Sequence, residues 1–482
     1  MAVEENCHME IRIRFEKHGQ GHVFQYWDEL GSEEQASLLE QAEEIDLDEL
    51  DRLINTLVKA TEAHSEINYD VLEPAPYERI PEGLANDARW QAAKEAGEAA
   101  LRSGRVAAFT VAGGQGTRLG YDGPKGTFPI SPIKHKPLFQ LFAEKIMAAR
   151  RRFQCDLPWF IMTSNVNHDT TAAFFAENDF FGLGGESVRF FRQGRMPAVD
   201  LEGCILMESK SAIAMSPDGH GGSMRALDRS GALDEMESRG IDLLSYFQVD
   251  NPHVQVVDPC FIGFHALSGT SMSSKMLPKA YEKEKLGHFC ISGDRLEVVE
   301  YSDMPDRLTA LRDESGALKF IAGSIAIHIV SVDFVRKLTN EASALALPFH
   351  KALKKIPYLN TSGELIRPTE ANGVKFETFV FDALPFAGEA VIVESTRLGD
   401  FSPVKNAEGL DSPESCQADQ QRLFAQWLMA EGVELDLDET GVPIHKLEVS
   451  PLFGYDAESF SESWKRFGEA VDFSKDVYLG DF

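Results

Sequence analysis

The stretch that most restricts the fold is Val106–Gly126. Val106–Val111 (VAAFTV) is a short apolar run of the kind that forms a strand buried on both faces, and it passes without a spacer into a glycine loop, AGGQGTRLG. Such a strand needs neighbouring strands and covering helices. The residues that follow supply them: Pro137–Arg152 has helical spacing with proline at its start, Trp159–Thr163 reads as a strand, Asp169–Glu177 as a helix and Val188–Phe191 as a strand. A helix around Met224–Gly240 and a strand Leu243–Val249, ending on Asp250, continue the alternation. It predicts an α/β fold with a mostly parallel, Rossmann-like sheet, helices on both faces, and ligands at the C-terminal ends of the strands.

Ahead of Gly104 the chain reads as helical. Ser32 and Gln35 have capping-box spacing, and Leu38, Leu39, Ala42, Ile45, Leu50, Leu53, Ile54 and Leu57 predict a helical hairpin behind them. Trp90, Ala93, Ala96, Ala100 and Leu101 predict another helix, closed by Gly104. Beyond the turn-rich stretch 406–415 (NAEGLDSPES), Gln421–Ala430 reads as helix and Lys446–Leu452 as strand. A length of 482 residues suits two or three domains of about 150 residues each. The expected division is a helical N-terminal segment, 1–100, a central domain, 101–405, and a small C-terminal domain containing β structure, 406–482.

Charge narrows the partners. Lys and Arg total 47 against 77 Asp and Glu, a net charge of −30, which excludes a binder of nucleic acid or anionic membrane that relies on its whole surface. No apolar run approaches the roughly 18–20 residues of a membrane span, and Met1–Glu10 is acidic and polar, so the expected location is cytoplasmic. The six cysteines are scattered without a C-x-x-C pair, and neither a zinc site nor a disulfide framework is expected. Residues 1–100 carry 24 acidic and 8 basic side chains, whereas 101–152 carry 2 acidic and 10 basic, a local charge of 10 − 2 = +8 around the glycine loop. A phosphate-rich ligand requires such an island.

The loop itself, GGQGTRLGYDGPKG, separates three nucleotide-binding readings. A dinucleotide fingerprint is met at Gly114 and Gly116 but has Leu119 at the third position, and Pro124 and Pro129 interrupt the helix that should follow. A P-loop needs Gly-Lys-Ser/Thr, and here Lys125 stands between Pro124 and Gly126. A glycine loop whose backbone N–H groups approach phosphate oxygens, with Arg118 and Lys125 as cations, fits a triphosphate.

The run VAGGQGTRLG followed by PKG resembles the signature of the eukaryotic-type UDP-sugar pyrophosphorylases, and the chain is most similar to the UDP-N-acetylglucosamine branch of that family. The likeness extends in order through FQYWDEL, PWFIMTS, FFRQG, MSPDGHGG, VDNP, FIGF, VVEYS, KKIPY, FVFD, FSPVKNA and EVSPLFGY. It implies a nucleotidyltransferase whose catalytic domain is 101–405: a sugar 1-phosphate attacks the α-phosphorus of UTP, pyrophosphate leaves and a UDP-sugar forms. Phosphoryl chemistry of this kind asks for positioning and charge neutralisation rather than a covalent nucleophile.

The resemblance further implies a nucleotide site from Val111, Ala112, Gly113, Gly114 and Gly116, with Arg118 and Lys125 on the phosphates and Asp250 holding Mg²⁺. By the same likeness Gln193 reads the uracil and Gly219 lets backbone approach the base, while Lys375 and Lys405 lie near the phosphates, Lys405 with a catalytic role. The sugar wall implied is His220, Glu300, Tyr301, Ser324, Phe379 and Phe381. Two positions depart from the N-acetylglucosamine pattern, His220 and Ser324 each standing where that branch usually has Asn, and His220 is the residue more typical of the UDP-glucose branch. Three alternatives therefore accompany the leading expectation: glucose 1-phosphate as substrate, a catalytically silent UDP-sugar sensor, and an NADP-dependent oxidoreductase resting only on the Gly114, Gly116 and Gly120 spacing.

Overall fold

In the computed structural model, which describes residues 2–60, 67–81, 87–340, 346–467 and 471–480 with side chains from residue 8 onward, Val106–Val111 is an interior strand of a ten-stranded sheet. It pairs in parallel with Leu243–Gln248 on one side and Trp159–Thr163 on the other, and Trp159–Thr163 pairs in parallel with Val188–Arg192. Both neighbours are buried along almost their whole length, as expected of strands covered on two faces. Beyond Leu243–Gln248 the pairing turns antiparallel: Ala322–Ser331 lies against it and also meets Met272–Pro278 and Gly287–Ser292. The antiparallel half therefore extends the parallel strands without a crossover helix at each step.

Helices cover this sheet because their apolar faces match it. Leu138–Phe153 buries Phe139, Phe142 and Ile146, and Phe139 and Phe142 meet Trp159 edge-on at 6.1 and 6.4 Å between centroids. Ala88–Arg102 crosses Pro259–Ser268 at backbone contact. A Cβ at Gly97 would lie 1.8 Å from the Pro259 carbonyl oxygen, and one at Gly263 would lie 1.6 Å from that of Ala93. The expected helix around 224–240 is two helices, Gly222–Arg229 and Ala232–Ser238, because Gly231 adopts φ +75° between them. Pro413–Ala430 follows an N-cap at Ser412 and packs Phe424 and Leu428 with Leu447, Val449, Phe460 and Leu479.

Contacts group the chain into two units. One comprises Asn68–Arg192, Ala226–Ala346 and Ala383–Phe482, and holds the sheet together with the C-terminal helices. The other comprises Met1–Ile67, Gln193–Arg225 and Leu347–Asp382. In the latter, Ser32–Glu43 and Leu47–Leu53 pack Leu38, Leu39, Ala42 and Leu50 with Val199, Phe349 and Phe376 from a three-stranded antiparallel sheet, Phe349–Lys354, Gly373–Thr378 and Val199–Asp200. The capping box starts one residue earlier than the sequence spacing indicates: Gly31 is the N-cap, and its N–H donates to Glu34 Oε2 at 2.9 Å. Both units are discontinuous in sequence, unlike the three consecutive segments drawn above. The strands that create this pattern are two to six residues long, too short to show a period.

Buried histidines give the sheet unit an acid-sensitive core. Burial, with a contribution from Arg105, pushes His265 down to about 4, and burial with the Lys279 charge does the same to His288. The His265 ring lies between Ser273 Oγ at 2.9 Å and Ser331 Oγ at 3.0 Å. A histidine whose folded pKa is depressed binds fewer protons folded than unfolded, so stability falls as pH drops from the unfolded value near 6.5 toward 4. Each should remove roughly 1–3 kcal/mol by the lower limit. Urea midpoints should therefore decrease between pH 7 and pH 5, and His265→Gln should flatten that slope; a midpoint unchanged over this range would contradict the account.

Candidate active site

The glycine loop leaves the C-terminal end of Val106–Val111 and closes on itself. Ala112 N–H donates to Met162 O at 2.7 Å, Gly116 N–H to Gly123 O at 2.9 Å and Lys125 N–H to Gly114 O at 3.1 Å. Asn167 Nδ2 clamps the hoop from beneath, donating to the Ala112 and Gly114 carbonyls at 3.0 and 3.3 Å. Val111 and Gly113 are half-buried at its entrance. Gly116 is required by packing, since a Cβ there would lie 2.7 Å from the Tyr121 ring. Gly114 is different: apart from its chain neighbours, no described residue lies within 4 Å of its Cβ position, so the open space there gives a ligand access to the backbone.

Arg118 is exposed in the single turn Thr117–Leu119 and makes no ion pair among the described residues. Lys125 is held more firmly. Gly126 behind it fits against Phe139, where a Cβ would meet the ring at 2.1 Å, and Lys125 Nζ lies 3.7 Å from Asp250 Oδ2, the two side chains being only 13% and 14% exposed. The glycine-loop cation and the strand-end carboxylate are therefore brought together.

Asp250 is fixed through its backbone and its neighbour. Its carbonyl accepts Val404 N–H at 2.8 Å, while Asn251 donates to Asp400 O at 2.6 Å and accepts from Ser402 N–H at 3.1 Å. These bonds tie the strand end to the segment leading into Lys405. Asp400 is in turn anchored by Lys275, whose Nζ lies 2.5 Å from Asp400 Oδ2 and 2.7 Å from Asp258 Oδ2. Burial opposes the Lys275 charge, but Asp258 and Asp400 outweigh it and hold the ammonium well above its ordinary pKa.

Lys405 reaches over the Phe401 ring, its Nζ 5.5 Å from the centroid. The N–H groups of Lys405 and Asn406 both donate to Asp411 O, at 2.6 and 3.0 Å, and Asp411 holds φ +56°. Stretch 406–415, read above as a boundary, thus includes a tight turn that positions Lys405. The Asp411 carboxyl is pushed up by burial, with Lys405 opposing and the Asp250 charge reinforcing the shift.

Of the sugar-wall candidates in this unit, Glu300 and Ser324 are brought near each other. Glu300 Oε1 lies 3.7 Å from the Cβ position of Gly287, and Gly287 pairs with Ser324 across adjacent strands. A bulge with Ala326 at φ +56° shifts the register just beyond Ser324. Tyr301 is 46% exposed.

The other unit gathers Gln193, Gly219, His220, Phe379 and Phe381. Gln193 Nε2 donates to Asp218 Oδ1 at 3.1 Å and to Gly219 O at 2.7 Å. Gly219 has φ +84° and fits against Thr378, whose carbonyl oxygen would lie 2.3 Å from a Cβ; the fold itself demands this glycine. His220 lies beside Phe379 and Phe381 at 5.4 and 5.7 Å, and those two rings stack at 5.1 Å. Burial lowers the His220 pKa to about 4, and Val380 N–H donates to its Nδ1 at 3.2 Å, so the neutral ring carries its proton on Nε2. Lys375 lies on Gly373–Thr378 between the core residues Val374 and Phe376, and strand alternation turns it to the opposite face. Sequence reasoning missed Asn167, Asp218, Lys275, Asp400 and Asp411. Of these Asp218 stands in a quoted motif, Asp400 beside one, and Asp411 within the turn-rich stretch 406–415.

A family model described as UTP–glucose-1-phosphate uridylyltransferase matches residues 47–424. The chain is 36% identical to the UDP-N-acetylhexosamine pyrophosphorylase-like protein 1 of Xenopus tropicalis, covering 94% of this chain and 93% of that protein. It is 34% identical to UDP-N-acetylglucosamine diphosphorylase 2 of Arabidopsis thaliana over 94% of this chain and 91% of that one. Its fold matches the crystal structure of the uridine diphosphate N-acetylglucosamine pyrophosphorylase from Trypanosoma brucei in complex with inhibitor, with a TM-score of 0.84 at 24% identity and 98% coverage of both chains.

Proposed function

The chain belongs to the UTP–glucose-1-phosphate uridylyltransferase family, and from that membership we propose that it joins UTP to N-acetylglucosamine 1-phosphate, releasing UDP-N-acetylglucosamine and pyrophosphate. The observation that carries the chemistry is the pairing of Lys125 with Asp250 at 3.7 Å beside a glycine hoop that is open at Gly114.

In this reading the backbone of Val111–Gly114 and Gly116 lines the nucleotide, and Arg118 and Lys125 neutralise the phosphates and the leaving pyrophosphate. Among the described residues no three His, Cys, Asp or Glu side chains converge on a metal position. A single carboxylate with substrate phosphates suits Mg²⁺, which keeps several of its ligands outside the protein, so Asp250 is the residue that would hold it. The ion supplies charge neutralisation for the phosphates when bound. Lys405 and Lys375 add positive charge for the sugar phosphate and the α-phosphate. The sugar 1-phosphate oxygen forms the new P–O bond at the α-phosphorus as the bond to pyrophosphate breaks, and no covalent enzyme intermediate is needed.

Gln193 and Gly219 read the uracil. His220, Glu300, Tyr301, Ser324, Phe379 and Phe381 contact the sugar. The N-acetyl sugar is supported by the names of the relatives, and His220 is compatible with it: neutral and protonated on Nε2, it offers the N–H donor that an Asn amide would offer. The glucose reading is favoured by the identity of His220 alone. A cytoplasmic setting fits the unbridged thiols of Cys155, Cys204, Cys260, Cys290 and Cys416, and no helix among the described residues is long and apolar enough to cross a membrane.

The test is pyrophosphate release from UTP and Mg²⁺ with a panel of sugar 1-phosphates. N-acetylglucosamine 1-phosphate should exceed glucose 1-phosphate in kcat/KM by roughly 10-fold or more, the scale of one pocket contact. A reversed preference would transfer the assignment to glucose.

A further inference from the structure

Gln193 is an amide, and an amide faces a ligand with either its donor or its acceptor end. Its surroundings remove that freedom. Nε2 lies 3.1 Å from Asp218 Oδ1 and 2.7 Å from Gly219 O, and both partners accept hydrogen bonds. Turning the amide over would bring Oε1 against two acceptor oxygens at those distances. Both amide N–H groups are therefore used within the protein, and Oε1 is left as the face for a ligand.

The carboxylate that enforces this is itself locked in place. Asp218 is 6% exposed, and its carbonyl accepts Thr378 N–H at 2.7 Å and Thr378 Oγ1 at 2.9 Å. Two glycines make room for its side chain: a Cβ at Gly222 would lie 2.0 Å from Asp218 Oδ1, and one at Gly194 would lie 2.6 Å from Oδ2. Neither a longer side chain at 218 nor any side chain at 194 or 222 fits this arrangement.

We propose that Asp218 is a specificity-determining positioning residue that holds Gln193 as a pure acceptor and thereby selects uracil over cytosine. The proposal rests on the reading of Gln193 as the base-recognition residue. Uracil presents a donor at N3–H, which an acceptor satisfies. Cytosine presents a lone pair at N3, which the same acceptor repels. With the amide free to turn, Gln193 would serve either base, so the choice lies in Asp218 and the Gly219 carbonyl rather than in Gln193 alone.

The experiment compares kcat/KM for UTP and CTP in the full chain and in Asp218→Asn, Asp218→Leu and Asp218→Ala. Asn keeps an acceptor oxygen for Nε2 and should retain the ratio to within a few-fold. Leu and Ala remove the acceptor and should lower the UTP-over-CTP ratio by roughly 10-fold, the scale of one lost hydrogen bond to a charged group. Each ratio is taken within one preparation, so a fraction of misfolded protein divides out. Titration with UDP and CDP reads the same ratio in any variant that folds but does not turn over. In the unmodified protein, 3-methyl-UTP, which lacks the N3 donor, should be used as poorly as CTP.

Four outcomes separate the ideas. Loss of discrimination in Leu and Ala with retention in Asn supports the role of Asp218. An unchanged ratio in Leu and Ala overturns it while leaving uracil recognition by Gln193 standing. Equal use of UTP and CTP by the unmodified protein overturns the reading on which the proposal rests. Normal use of 3-methyl-UTP overturns the acceptor geometry even if no Asp218 variant folds.

Discussion

Asp250→Ala is expected to lower turnover by roughly 10²- to 10⁴-fold, the range seen when a single preorganised charge is removed from a phosphoryl- or acyl-transfer site. The carboxylate is only 14% exposed and lies 3.7 Å from Lys125, at the end of a strand whose position is set by backbone and Asn251 bonds rather than by the Asp250 side chain. The fold should therefore survive, and the urea midpoint should shift by no more than a surface substitution would move it. Lys125→Ala should give a comparable loss, because its backbone is fixed where Gly126 packs on Phe139, its Nζ lies 3.7 Å from Asp250, and the exposed Arg118 does not share that position. Steady-state assays of pyrophosphate release at saturating UTP check both variants. Retention of more than about a tenth of the normal rate would remove that residue from the mechanism.

Lys275→Met should have the largest effect on stability, roughly 3–5 kcal/mol at pH 7, because it leaves two carboxylates in the sheet unit without their shared cation. Lys275 is 2% exposed, its Nζ lying 2.5 Å from Asp400 and 2.7 Å from Asp258. The sign of the pH dependence follows from Asp400. Burial raises its pKa, Lys275 and the bonds from Ser395 and Gln255 more than reverse this, and the net shift is downward. A depressed carboxylate contributes stability above its unfolded pKa near 4 and loses it as pH falls through the folded value. The deficit of Lys275→Met should accordingly be greatest near neutrality and shrink in acid, where the orphaned carboxylates take up protons. Urea unfolding at pH 7 and pH 4.5 measures it. A variant as stable as the parent at pH 7 would show that the triad is not needed to hold the Asp250 and Lys405 segments.

What could be read from sequence follows from how local each signal is. Val106–Val111 and Trp159–Thr163 were legible to the residue because a strand buried on both faces leaves a continuous apolar run. The glycine loop could be picked out because it follows Val106–Val111 directly, and Lys125 because it lies within that loop, whereas Asp250, two residues past Leu243–Gln248, was singled out by the family resemblance. The short strands Arg195–Pro197, Val199–Asp200 and Tyr358–Leu359 were not, since two or three residues carry no period. Nor was the grouping of Gln193–Arg225 and Leu347–Asp382 with the N-terminal helices, which depends on pairings such as Val199 with Val374 across a long sequence separation. Asp218 and Asp411 act through contacts that only the fold reveals: Gly194 and Gly222, in the quoted FFRQG and MSPDGHGG, leave room for the Asp218 carboxylate, and a left-handed Asp411 gathers two N–H groups on its carbonyl. Gly219 looked like a site of approach to the base and is also demanded by Thr378.

The central claim is tested most directly by ³¹P NMR of the protein mixed with UTP, N-acetylglucosamine 1-phosphate and Mg²⁺. The account predicts that the three UTP resonances and the sugar phosphate resonance decline together, while the paired resonances of a UDP-sugar and the single resonance of pyrophosphate grow in equal amounts. UTP and sugar phosphate resonances that persist unchanged, with protein shown by titration to bind UTP, would contradict it.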